Sequence, residues 1–161
     1  MRRDGVDCTS VGRPTAWMGC LCSKMGNSRG RAAYDAGMWT PDREWWDQLL
    51  RAVDSGDAER FVSFLTPDAS FRFGNAACVV GTEAILAVVG GFFAAIASSR
   101  HELIQCWGVA PSVACEGTVT YTRHDGSTLD VPFVNAFDLR GRKIASYRIY
   151  IDNSALFAAH H

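Results

Sequence analysis

The chain has no long apolar run, no block of like charge and no C-x-x-C cysteine pair. Each absence removes a class of function. No stretch approaches the ~20 apolar residues that a membrane-spanning helix needs. Arg2 and Arg3 are followed by Asp4 and Asp7, and the apolar stretch Ala16 to Cys22 is too short to serve as a secretory signal core. A formal net charge of -1, without a basic cluster, gives nucleic acid or an acidic membrane surface no electrostatic footing. The six cysteines are Cys8, Cys20, Cys22, Cys78, Cys106 and Cys115, and no histidine lies near the first three. A zinc site is therefore not expected, nor is any other metal or cofactor. Cys106 and Cys115 read as small core hydrophobes, with reduced, cytoplasmic thiols as the default.

What is present is a real core. Hydrophobic residues make up 48% and charged residues only 20%, a balance that favours folding over disorder. Residues 1–38 stand apart: they are rich in Gly, Ser, Arg and Cys, carry no sustained apolar period and read as a disordered extension. Met18-Gly19-Cys20-Leu21-Cys22-Ser23 has the form of an N-myristoylation signal, but that chemistry requires Gly19 at the true N-terminus. Met18 and Met38 are alternative start sites on this reading. The folded domain is expected over 39–158, with 159–161 as a tail.

Order begins at Thr40-Pro41-Asp42. Thr40 is expected to cap a helix, with Pro41 at its first position. Trp45, Trp46, Leu49, Leu50 and Val53 then recur at helical spacing, and Gly56 ends the run. Asp57 caps a short second helix carrying Phe61, Val62, Phe64 and Leu65. Ala69 to Phe73 reads as a strand. Thr82 is expected to cap a third helix bearing Ile85, Leu86, Val89, Phe92, Phe93 and Ile96. Gly90-Gly91 inside it costs about 1 kcal/mol per residue relative to Ala, which predicts another element packed closely there. From His101 the period becomes two, with strands near 101–109, 113–124, 128–139 and 143–152 and a strong hairpin turn at Asp125-Gly126.

Helix, helix, strand, helix and a four-strand meander is an α+β order, and here a resemblance enters. The segments "AVDSGDAERFVSFLTPDASFRFGN", "GTEAI", "HELIQCW", "VTYTRHDGSTLDVPFVNAF" and "GRKIASYRIYID" resemble, in that order, SnoaL-like members of the nuclear-transport-factor-2-like superfamily. The resemblance covers about 42–157. It implies a cone-shaped barrel in which a curved antiparallel sheet wraps around three N-terminal helices. It also implies a pocket for a small apolar molecule and a homodimer through the sheet's outer face. Relatives include polyketide cyclases, ketosteroid isomerase, limonene epoxide hydrolase, scytalone dehydratase and non-catalytic binding domains, so the fold does not choose a function.

Alternation proposes the pocket. Val131, Phe133, Asn135, Phe137 and Leu139 share one face, and Asn135 is its polar exception. A buried unpaired amide costs about 1–3 kcal/mol, so Asn135 needs a partner in the protein, a water or a ligand. Tyr121 lies on the adjacent strand in phase with Val119 and Arg123; Tyr147, Ile149 and Ile151 form the inner set of the last strand. Arg148 and Asp152 are placed on the outer face as a candidate ion pair. Similarity to scytalone dehydratase-like proteins gives His101 as candidate general base and Asn135 as a substrate-facing amide. Arg123-His124-Asp125 resembles the Arg-x-Asp of limonene epoxide hydrolases, but that family's other acid falls at Ile149 and its water-positioning Tyr and Asn at Phe71 and Phe73. The candidate catalytic residues are His101, Tyr121 and Asn135. The candidate substrate-binding residues are Phe71, Phe73, Trp107, Arg123, Phe133, Phe137, Tyr147 and Ile149. No Asp or Glu is placed on the inner face, and alternation through His101, Leu103, Gln105 and Trp107 leaves open which face His101 occupies. Two functions stand: a cofactor-independent cyclase, isomerase or dehydratase of a polyketide- or terpenoid-like molecule, or a non-catalytic ligand-binding or accessory dimerisation domain.

Overall fold

A computed structural model describes residues 39–158. The expectations for 1–38, for the cysteines and start sites within it and for 159–161 lie outside the described residues. The elements are α1 (Arg43–Asp54), α2 (Ala58–Val62), β1 (Leu65–Phe73), β2 (Val79–Val80), α3 (Thr82–Ala94), β3 (Ser98–Val109), β4 (Ser112–Thr122), β5 (Thr128–Arg140) and β6 (Lys143–Ile151), followed by a 3-10 turn at Ser154–Phe157. The domain is α+β, three helices with a six-strand sheet ordered β2-β1-β6-β5-β4-β3.

The sheet is mixed rather than antiparallel throughout. β3 to β6 form the expected antiparallel meander, but β1 pairs parallel with β6, Phe71 opposite Tyr147 and Phe73 opposite Ile149. A parallel pair needs a long crossover, and here everything between β1 and β6 supplies it. Helix starts also shift. Asp42, not Thr40, caps α1, its carboxylate accepting from Trp45 N–H at 2.9 Å. Gly81, not Thr82, precedes α3, with a φ of 91° and no side-chain cap.

The core lies between the helices and the sheet's inner face. Leu49, Ile85, Val119 and Ile144 are fully buried, and Phe137 packs against Trp46 at 5.2 Å and Tyr147 at 4.3 Å between ring centroids. Burying a Leu or Ile side chain is worth about 1.5–3 kcal/mol, so this contact surface, more than helix propensity, holds the helices down. Gly90 and Gly91 do not mark a close approach: a Cβ on either would meet nothing within 4 Å. The close approach is at Gly117, where a Cβ would collide with Glu102 O and lie 2.9 Å from the Phe133 ring.

The outer face carries paired polar groups beside exposed Trp107, Val109 and Tyr150. Thr120 donates to Asp130 at 2.6 Å, Ser112 to Asp138 at 2.9 Å and Arg148 to Asp138 at 2.6 Å. The guanidinium of Arg148 beside it is the main cause that holds the Asp138 carboxyl below the usual carboxylate range. Arg148 therefore pairs with its cross-strand neighbourhood on β5 rather than with Asp152, whose carboxylate accepts from Ser154 N–H at 3.0 Å.

Candidate active site

A cavity of about 150 Å³ lies between α1, α3 and the inner face of the sheet. Phe71, Phe73, His101, Tyr121, Phe133, Asn135, Tyr147 and Ile149 line it, so eight of the eleven candidate residues meet in one place. Phe61, Val89, Phe92, Phe93 and Ile151 complete its wall.

Three candidates fall elsewhere, each for a local reason. Trp107 is 45% exposed on the outer face. The register of β3 against β4 slips between Leu103 and Gln105: Leu103 opposes inward Gly117, whereas Gln105 opposes outward Glu116. Ile104 is the extra residue of a β-bulge, which reverses the faces beyond it. His101 and Leu103 therefore point inward while Trp107 points out. Cys106, expected in the core, shares the inward phase of its register partner Cys115 but is exposed because β3 is the edge strand, whereas Cys115 is buried and its thiol is pushed up to about 12 by burial. Arg123 lies beyond the end of β4 and its guanidinium donates to Leu156 O, Ala155 O and Ser127 Oγ at 2.8–3.0 Å, so it secures the final turn. Phe137 faces inward but sits 1% exposed in the packed core below the cavity.

The residue that the alternation pattern did not reach is Asp54. The last residue of α1 forms a dyad with His101: His101 Nδ1 lies 2.6 Å from Asp54 Oδ1, and His101 backbone N–H donates to Oδ2 at 3.0 Å. Ser99, 8% exposed, adds a hydroxyl to Oδ1 at 3.1 Å. A carboxylate only accepts, so Nδ1 carries the hydrogen of this contact, and the ring lies at the cavity wall. Phe133 meets the imidazole edge to face at 5.3 Å and fixes the ring from the other side. The small residue at Gly117 makes room for that phenyl ring. A second, polar cleft of about 70 Å³, lined by Asp54, Ser55, Ser98 and Ser99, lies on the carboxylate's side. The Asp54 side chain is 26% exposed against 11% for His101, so the carboxylate is the more water-accessible half of the dyad.

Two further polar groups face the cavity. Burial, with the Asp54 charge adding to it, raises Tyr121 above the ordinary phenol range, so its hydroxyl stays protonated and able to donate. Asn135, 2% exposed, donates from Nδ2 to Tyr147 Oη at 3.1 Å, and its Oδ1 is buried without a partner. Whichever way round the amide lies, one arm meets Tyr147 and the other is unmatched. No group of three or more candidate metal ligands occurs among the described residues.

An apolar cavity on the inner face of the sheet, with a histidine hydrogen-bonded to a carboxylate at its wall, is the site that the fold presents. The chain belongs to the SnoaL-like family, whose domain model matches residues 46–147. No curated protein matches it. Solved structures share its fold at low identity. TerC, co-crystallised with polyporic acid, is 18% identical with a TM-score of 0.61, covering 70% of this chain and 92% of its own. A ketosteroid isomerase-like protein from Catenulispora acidiphila DSM 44928, in complex with trimethylamine, is 16% identical with a TM-score of 0.62, covering 68% and 86%. A protein of Jannaschia sp. CCS1, provisionally assigned as a SnoaL-like polyketide cyclase, is 19% identical with a TM-score of 0.60, covering 73% and 94%. At these identities the likeness establishes the fold alone. No described helix is long and apolar enough to cross a membrane.

Proposed function

We propose that this chain is a cofactor-independent acid–base enzyme, an isomerase, cyclase or dehydratase acting on a small apolar molecule of terpenoid or polyketide type. The Asp54–His101 dyad carries this reading. A binding pocket needs no histidine held by a carboxylate at the wall of an apolar cavity, whereas proton abstraction makes use of that arrangement.

His101 Nε2 takes a proton from carbon beside a carbonyl; the C–H electron pair forms the new C=C bond and the carbonyl π pair moves onto oxygen. Asp54 stabilises the imidazolium through Nδ1–H and holds the ring in place. Tyr121, a protonated donor near the dyad, hydrogen-bonds the developing oxyanion in water-poor surroundings. The imidazolium then returns its proton, to a second carbon in an isomerisation or to a departing hydroxyl in a dehydration. Asn135 holds a second polar group of the substrate. Binding of polyporic acid and of trimethylamine by fold relatives supports ligand entry in such a pocket. The reading includes a homodimer through the sheet's outer face, where Trp107, Val109 and Tyr150 are exposed.

The test is turnover over a panel of cyclic ketones and β-hydroxy ketones. General acid–base catalysis contributes about 10²–10⁴-fold, so His101→Ala and Asp54→Asn should each lower kcat by at least about 10²-fold while ligand binding persists. Binding without any turnover, or turnover indifferent to both substitutions, would make the chain a ligand-binding module instead.

A further inference from the structure

We infer that Cys106 and Cys115 are a redox pair whose cross-strand disulfide fastens the edge strand that carries His101. The inference is independent of the acid–base reading, because it rests on strand register and exposure.

Cys106 of β3 and Cys115 of β4 are register partners in an antiparallel pair, so their side chains leave one face of the sheet directly opposite each other. The neighbouring ladder shows which kind of pair they form. Leu139 N–H donates to Pro111 O at 2.7 Å, one step beyond the Ser112–Asp138 pair. From that pair to Thr122 the β4–β5 register runs without a slip. Main-chain groups alternate sides along a strand, so Val113, Cys115 and Gly117 turn theirs toward β5. Toward β3, Cys115 and Cys106 are therefore a non-hydrogen-bonded pair, with Cα atoms about 4.5 Å apart. Disulfides span about 4.4–6.8 Å between Cα atoms. The pair lies at the short end of that window, where the bond closes under strain and is readily reduced again.

The two thiols differ in access. Cys106 is exposed on the edge strand and Cys115 is buried, which assigns attack to the first and resolution to the second. The Cys106 thiolate attacks one sulfur of glutathione disulfide and expels a glutathione thiolate. Cys115 then loses its proton, and its thiolate attacks Cys106 Sγ and expels the second glutathione. Two protein thiols are oxidised by two electrons, and one glutathione disulfide becomes two glutathiones, whose sulfurs take up both protons. Burial holds both thiols above the ordinary range, so the exchange is slow at neutral pH and quickens as pH rises.

The bond lies level with the cavity. Cys115 is opposite Asn135, which is opposite Ile149, and both of these line it. On β3 the Ile104 bulge separates Cys106 from His101. A covalent tie just beyond the bulge fastens the strand where its ladder is interrupted.

Trypsin releases both thiols in one peptide, residues 101–123, which contains no other cysteine. The full chain is equilibrated with oxidised and reduced glutathione near the ordinary thiol pKa of about 8.5, quenched in acid, alkylated with N-ethylmaleimide in denaturant and digested. In oxidising buffer the peptide should lack two hydrogens and carry no maleimide. Excess reduced glutathione should return it to the doubly alkylated form. Cys115→Ala should stop at a glutathione adduct on Cys106, and Cys106→Ser should leave Cys115 free. Oxidation should slow amide exchange across residues 105–109 at least about threefold and leave β1 unchanged. A doubly alkylated peptide at every glutathione ratio, a lasting glutathione adduct on wild-type Cys106, or its bonding to another cysteine overturns the inference. So does a disulfide that excess glutathione does not open, or one that leaves those exchange rates unchanged. The wild-type measurements need neither variant, so they decide the matter even if Cys115→Ala does not fold.

Discussion

Helix α1 starts under an Asp42 cap, contains no glycine, buries Trp45, Trp46, Leu49, Leu50 and Ala52, and ends at Asp54 of the dyad. Helix α3 starts at Gly81 without a side-chain cap, carries Gly90-Gly91 in its interior, and fully buries only Ile85 and Val89. Both border the same cavity. On the acid–base reading proposed above, α1 holds the group whose position matters most, because a proton transfer depends on tenths of an ångström. The softer one contributes Val88, Val89, Phe92 and Phe93, which only have to enclose a ligand. Val88 of α3 and Ala76 of the turn after β1 are exposed lining residues, so the cavity opens on the α3 side.

The largest effect expected from this contrast concerns burial. Leu49 is 0% exposed, whereas Val88 is 48% exposed. Leu49→Ala should destabilise the domain by about 2–5 kcal/mol in urea unfolding, while Val88→Ala should stay within about 0.5 kcal/mol of wild type. Equal losses at both positions would mean that α3 is packed as firmly as α1. Next comes the cap. Asp42→Ala removes the acceptor for Trp45 N–H and should cost about 1 kcal/mol. Because α1 ends at the dyad, catalysis should drop with it only near the unfolding midpoint, as read by activity against urea.

How much of this was legible in the residues follows the range of each interaction. The inner set Phe133, Asn135, Tyr147 and Ile149 could be read because pleating fixes the face of every second residue. Trp107 could not, since one bulged residue at Ile104 reverses the phase and leaves no local mark beyond Gly117 on the partner strand. Gly90-Gly91 was visible but its surroundings were not: close packing requires glycine, whereas open space only tolerates it, and the residue letter is the same in both. Asp54 and His101 are 47 residues apart in sequence, so neither strand nor helix periodicity pairs them. Two local signals at Asp54 were nevertheless available. It continues the i+4 row of Trp46 and Leu50 onto the buried face, and it puts a negative charge at the negative end of a helix. The second costs about 0.3–1 kcal/mol at an ordinary site. Three hydrogen bonds from Ser99 and His101 offset it here. A carboxylate against both the apolar stripe and the helix dipole is a reason to look for a distant partner.

The smallest expected effect carries the opposite sign. A methyl group at Gly90 or Gly91 would meet no atom within 4 Å, and neither residue requires positive φ. Alanine should therefore be accommodated without strain, and each substitution should raise stability by up to about 1 kcal/mol through helix propensity and a less disordered unfolded chain. The gain should be local. Amide hydrogen exchange across Gly90–Ala94 should slow about fivefold for each ~1 kcal/mol gained, while the Leu49–Asp54 amides keep their rates. Were the exchange rates of α1 to fall equally, the two helices would open as one unit, and the contrast between a firmly packed α1 and a yielding α3 would have to be given up.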